Sequence, residues 1–219
     1  MAFELDHILL CTDIGAKAAD SLTAFGLQEG TANTHPGQGT ANRRFFFHNA
    51  MLEFLWVHNP AEARSETVAR THLWERWEQR NHGVCPIGIG LRPIGSAATI
   101  TFSHWQYQPP YLPNSTSIAV ATNSHWLTEP LLFQIPFGQR PDAEPTQPLH
   151  HRLGLREITR VTLVSPTTHP PSSEFQTLIE SQTVILRRGR DYCLELGFDQ
   201  EQQGQQADFR PDLPLLLRW

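Results

Sequence analysis

One strand pattern occurs twice in this chain of 219 residues, and that recurrence restricts the fold more than any other feature. Glu4–Thr12 and Glu157–Ser165 follow one another closely in apolar character. Each precedes a helix signal. Asp13 stands ahead of Ala18, Leu22 and Phe25 at i, i+4, i+7 spacing, with Gly26 to end the helix, and Ser172 or Ser173 caps a helix reaching Glu180. Strands follow each helix: Arg44–Phe47 and Met51–Val57 after the first, Thr183–Arg187 and Tyr192–Phe198 after the second. A β-α-β-β order thus recurs, clearly at the two ends and faintly between them. The expected class is α+β, built from repeated β-α-β-β units.

The remaining segments fit one domain over 1–219, with a first module at 1–60 and a helix within 61–83. Middle strands follow at 84–137, then a proline-rich linker at 138–156 and a last module at 157–219. Ser65–Arg80 reads as one helix, capped by Ser65 and striped by Ala69, Leu73 and Trp77. Val84–Leu91, Ser117–Thr122 and Leu131–Ile135 read as strands. Gln108–Pro113 holds three prolines, which deny a ladder its donors, so it reads as loop or edge. Leu215–Trp219 is a candidate final strand.

Formal net charge is −5, from 22 acidic and 17 basic residues. No cationic face for nucleic acid is visible, and Arg187–Arg190 reads as a solvated turn. No run approaches the ~20 apolar residues that span a bilayer. Acid near the N-terminus, where a secretory leader carries base, points to the cytoplasm. Cys11, Cys85 and Cys193 are odd in number, widely spaced and set in apolar runs, so they read as buried reduced thiols.

Two carboxylates need an explanation. Glu53 interrupts the apolar run Leu52–Val57, and Glu195 sits within Cys193–Leu196. A carboxylate buried there without a partner costs several kcal/mol, so each requires a metal, a cation or a proton. His7 on the first strand reads either as a hydrogen-bonded core histidine paired with Asp6 or as a ligand.

Leu5–Ile8 on the first strand, the loop His35–Asn42 and the strand Met51–Leu55, in that order and spacing, resemble the vicinal oxygen chelate superfamily and within it the glyoxalase-like domain proteins. Gly88–Leu91 and the approach from His150 and His151 to Gly154 fit the same pattern. The resemblance implies repeated βαβββ-type modules forming a cupped mixed sheet with helices on the convex face, a small oxygenated substrate, and a divalent transition metal (Fe, Mn, Ni, Co or Zn) held by side chains of first and last strands. It implies His7, Glu53 and Glu195 as ligands, the two glutamates also as catalytic groups. Arg160 stands where a further ligand is expected, and a guanidinium cannot ligate a metal. Asn42, Arg43, Arg160, Trp105 and Tyr107 are the candidate substrate contacts, and Tyr111 lies beside the proline-rich loop. His104, His125, His150 and His151 are reserve ligands.

Two functions stand open: a metal-dependent lyase, isomerase or dioxygenase, and a metal-free protein that binds or sequesters a small molecule in the same cup. Either works as a monomer or homodimer, with no nucleic-acid or membrane partner. The expected geometry places His7 and Glu53 in one cavity, with Arg160 and Glu195 on its opposite wall.

Overall fold

The computed structural model describes residues 3–95, 100, 102–113 and 115–219. The repeat is present as strand pairing. Strand β1 (Phe3–Cys11) leads through a short 3-10 turn into helix α1 (Asp20–Phe25), then β2 (Asn33–His35), β3 (Thr40–Phe46) and β4 (Met51–Val57). Strands β5 (Ile87–Pro93), β6 (His104–Tyr107), β7 (Ile118–Ala121) and β8 (Leu131–Gln134) complete an eight-stranded sheet ordered β2-β3-β4-β1-β5-β8-β7-β6. In it, β1 lies between parallel β4 and antiparallel β5, and β5 pairs parallel with β8.

The same pattern returns downstream. Strand β9 (Ile158–Ser165) lies between parallel β10 (Ile185–Arg188) and antiparallel β11 (Cys193–Phe198), and β11 pairs parallel with β13 (Leu215–Arg218). Strand β12 (Gln206–Asp208) closes this five-stranded sheet, ordered β10-β9-β11-β13-β12. The strands therefore divide between two sheets. Both edges of β1 are taken by β4 and β5, and β9 founds a sheet of its own.

Period-two alternation sends Ile8 and Leu10 of β1, Phe54 of β4 and Ile89 of β5 to one face. They share a single apolar cluster with Leu163 of β9, Leu196 and Phe198 of β11 and Leu215 of β13. Helix α1 contributes Leu22 to this cluster, and α5 (Ser173–Glu180) contributes Phe175 and Leu178. The Ser172 hydroxyl accepts from the Phe175 N–H, the capping expected from the sequence. Phe47 and Phe198 meet with ring centroids 4.6 Å apart. Asn49, in the β3–β4 turn, donates to the Ile158 carbonyl at 2.8 Å and accepts from the Ile158 N–H at 2.9 Å. The opposite faces of the two sheets are left free of this core.

The helix expected over Ser65–Arg80 is broken. It forms as α3 (Glu66–Ala69) and α4 (Leu73–Glu78), after a short α2 (Pro60–Ala63). His72 between them takes a left-handed φ of 56°. The Thr71 hydroxyl donates to the Val68 carbonyl and accepts from the Leu73 N–H, competing with the helical ladder. The break turns Arg76 into the interior, where its guanidinium donates to the carbonyls of Glu129 at 2.5 Å and Ser124 at 3.0 Å. It also carries Leu73 to the free face of the large sheet. The three cysteines are free and buried. No helix among the described residues is long and apolar enough to cross a membrane.

Candidate functional site

The free face of the eight-stranded sheet is a cup. Side chains of β1, β3, β4 and β8 rise from it around a cavity of 280 Å³, whose lining includes His7, Leu9, Asn42, Arg44, Glu53, Leu55, Leu131 and Phe133. Alternation explains the set: His7 and Leu9 are two apart on β1, Asn42 and Arg44 on β3, Glu53 and Leu55 on β4, and Leu131 and Phe133 on β8. The proline-rich segment after β6 covers the rim with Tyr111 and Leu112, and Leu73 of α4 closes one side. The loop joining β2 to β3 packs beneath it. Gly37 has a φ of +79°, and a Cβ there would meet Pro110 at 2.5 Å. Tyr107 donates to Gln38 Oε1 at 2.9 Å, and His35 and Tyr111 face one another with ring centroids 4.7 Å apart.

Four polar side chains form a row along one wall. His7 Nδ1 donates to Asp6 Oδ1 at 2.6 Å, and His7 Nε2 faces Glu53 Oε2 at 3.6 Å. Asn42 Nδ2 donates to Glu53 Oε1 at 2.5 Å, while Asn42 Oδ1 accepts from the Asn33 N–H at 2.8 Å. Both ends of the Asn42 amide are therefore fixed, and with them one oxygen of Glu53. Asp6 is held in turn by Arg92, which lies 3.3 Å from its second oxygen and is itself 1% exposed. Gly90, opposite His7 on β5, makes room for the imidazole.

The electrostatics follow from this row. Burial works against a charged His7, but the Asp6 hydrogen bond, the Asp6 charge and the Glu53 charge outweigh it and raise the imidazole pKa above its ordinary value. Burial likewise pushes Asp6 up, and the hydrogen bond and charge of His7, with Arg92, more than offset it and hold Asp6 below the usual carboxylate value. The wall carries Asp6 as carboxylate and favours His7 as imidazolium. On the other side of the cavity, burial lowers the His35 pKa and pushes the Tyr107 and Tyr111 hydroxyls up, so these groups stay neutral.

His7, Glu53, Asn42, Tyr107 and Tyr111 thus come together in one cavity. The expected opposite wall of Arg160 and Glu195 does not form. Both belong to the five-stranded sheet, where Arg160 pairs with Glu201 and donates to Thr162 Oγ1 at 2.6 Å, and Glu195 pairs with Arg187. The buried Glu195 has found its own cation in Arg187, because the last module built a second sheet rather than a wall of the cup. Arg43 also points away. It neighbours Asn42 in sequence, so it emerges on the other face, donating to Glu29 at 2.7 Å and to Asp20 at 2.7 Å beside α1. Trp105 stands on the cup face of β6 but outside the cavity, with the Arg70 guanidinium 4.4 Å from its ring centroid.

None of the reserve histidines lines the cavity. His151 is engaged by the Gln28 N–H at 3.0 Å and the Phe46 carbonyl at 2.9 Å, and His104 and His125 by the Phe102 and Thr122 carbonyls. Sequence reading passed over Asp6 as a cavity residue, Arg44, His35, Gln38 and Phe133. Arg44 was available from alternation, two residues from Asn42, while His35 enters from the end of the short β2 and Gln38 through loop geometry that leaves no periodic signal.

The donor set does not fit a tightly held divalent ion. Structural and catalytic transition-metal sites draw on about three or four protein donors. Here His7 and Glu53 face one another, and the neighbouring cup positions on β5 and β8 are Gly88, Gly90, Leu131 and Phe133. Among the described residues no group of three or more His, Cys, Asp or Glu side chains is arranged to hold a metal.

Comparison with known proteins agrees with the fold. No curated protein matches the chain. A hypothetical protein from Staphylococcus aureus superposes with a TM-score of 0.57 at 11% identity, covering 100% of this chain and 98% of that one. A xylose isomerase-like TIM barrel/4-hydroxyphenylpyruvate dioxygenase fusion protein gives a TM-score of 0.46 at 12% identity, over 90% of this chain and 36% of that one. The family model that matches is that of the glyoxalase-like domain, over residues 5–93. That span, over which the chain is similar to a glyoxalase-like domain, carries the polar wall of the cup (Asp6, His7, Asn42, Glu53) and runs from β1 through β5.

Proposed function

We propose that the cup binds a small oxygenated molecule and moves a proton on it, with Glu53 and His7 as the acid–base pair of an isomerase or lyase. The observation that carries this reading is the row Asp6–His7–Glu53–Asn42 on the wall of an otherwise apolar cavity. Asn42 fixes one oxygen of Glu53 and leaves the other directed toward His7 and the cavity, the position of a base that removes a proton from carbon. His7, whose imidazolium form the Asp6 carboxylate favours, is placed to donate to the oxygen on which negative charge then develops. Leu131, Phe133 and Val120 give this exchange an apolar wall, beside which charge–charge effects are stronger than in bulk water. The reaction so drawn asks nothing of a metal ion.

A second reading, a binding or sequestering protein, draws on the predominance of apolar lining over polar groups. Deuterium exchange separates the two. The protein is incubated in D₂O with a panel of small 2-oxo and 2-hydroxy compounds, and exchange at the carbon beside the oxygen is followed by NMR. Catalysed exchange that disappears in Glu53→Gln and in His7→Gln is expected. Binding without exchange would support sequestration instead.

A further inference from the structure

One cation of the cup has no carboxylate partner. Arg44 lies directly across the β3–β4 ladder from Glu53, so both side chains leave the sheet on the cup face. It is the one arginine or lysine among the described residues that line the cavity. The other arginines near the site are paired: Arg92 with Glu4 and Asp6, Arg140 with Asp142 and Glu157, Arg43 with Glu29 and Asp20. Arg44 makes no ion pair among the described residues. Its Nε donates to the Thr31 carbonyl at 2.7 Å, and its guanidinium carbon lies 5.2 Å from the Phe46 ring centroid, so the outer nitrogens project from a fixed stem. Glu53 beside it is already engaged by Asn42 and faced by His7.

Arg44 also stands on a threshold. Together with Asp6 and Met51 it lines both the cup and an adjoining open hollow of 320 Å³ formed with the 139–147 segment. A half-buried guanidinium with free donors at a cavity mouth matches a carboxylate, which it can bind through two parallel hydrogen bonds.

We propose that the ligand of the cup is an apolar monocarboxylate, its acid group held by Arg44 at the mouth and its apolar body against Phe133, Leu131 and Val120. This inference rests on the cup being a ligand site, and it adds the charge and orientation of what enters. An acid group at Arg44 leaves the carbon chain extending inward past Glu53 and His7, so reaction falls on an atom near the acid rather than at the far end of the molecule.

The test uses the full chain titrated calorimetrically with 3-phenylpropanoate and its neutral counterpart 3-phenylpropanamide. The acid is expected to bind roughly tenfold to a hundredfold more tightly than the amide, the range of a charge-assisted hydrogen-bond pair. Arg44→Met should remove that preference while leaving amide affinity in place, and Arg44→Lys should restore part of it. Equal binding of acid and amide to the wild type overturns the anion subsite and leaves the cup as a ligand cavity. A preference that survives in Arg44→Met assigns the anion to another cation and also overturns it. If neither probe binds, the ligand-cavity reading falls together with the subsite. The wild-type comparison stands whether or not the variants fold.

Discussion

Gly90 lies directly across the antiparallel β1–β5 ladder from His7, and a Cβ at Gly90 would fall 2.8 Å from the imidazole Cε1 and 2.9 Å from its Nδ1. The same atom would meet the Phe133 ring at 2.9 Å. The backbone of β5 is ordinary there, so the glycine serves space and not conformation. It leaves the flat patch on which His7 lies between Asp6 and Glu53.

Gly90→Ala is therefore expected to tilt His7 out of the row. The cost in stability should be about 1–3 kcal/mol, the range for overpacking a closed site. The low-field proton resonance of the His7 Nδ1–H bonded to Asp6 should be lost or shifted. An unchanged resonance would show that the ring has room that the geometry does not reveal.

The Asp6–His7 pair predicts how stability depends on pH. His7 has a raised pKa in the fold, so its contribution is fully present below the ordinary imidazole value of 6.5 and is lost as pH rises through the folded value. Asp6 has a lowered pKa, so its contribution is present above the ordinary 3.8 and is lost as pH falls through the folded value. The pair is worth most between these limits. In denaturant titrations, the difference in stability between wild type and His7→Gln should be largest in that window and shrink on moving above it. A difference that grows with pH would contradict the assignment.

The missing metal donors can be supplied. His7 and Phe133 have ring centroids 5.1 Å apart, and Phe133 projects into the same cavity as Glu53. Phe133→His adds a third donor to His7 and Glu53. Titration with Zn²⁺ should show affinity at least about tenfold above that of the wild type. Equal affinity in the two proteins would mean that the wild-type site already holds the ion with two donors.

Phe198 joins the two sheets through its contact with Phe47 and is 0% exposed. Phe198→Ala is expected to cost about 3–5 kcal/mol, the usual range for deleting a buried aromatic. Because the shared core contains residues of both sheets, one cooperative transition should move to lower denaturant concentration. Two separate transitions would show that the sheets unfold independently.

The repeated strand, the helices after it and the identity of Glu53 as a buried polar anomaly were all legible in the sequence. Each is a local property: apolar periodicity, capping residues, and a charge in an apolar run. His7, Glu53 and Asn42 could be placed in one cup because alternation along a strand dictates which residues share a face. The same rule separates Arg43 from Asn42 and points to Arg44. What sequence could not supply is which strand edges are taken. β4 and β5 occupy both sides of β1, and the second half builds its own sheet. Arg160 and Glu195 then met Glu201 and Arg187 instead of the cup. The helix over Ser65–Arg80 failed for a related reason: Arg76 finds buried carbonyls only if the chain breaks at His72. Periodicity and capping act within one segment and are written in it. Pairing edges, interior carbonyls and the ownership of each buried charge depend on residues far along the chain, and only the tertiary structure decides them.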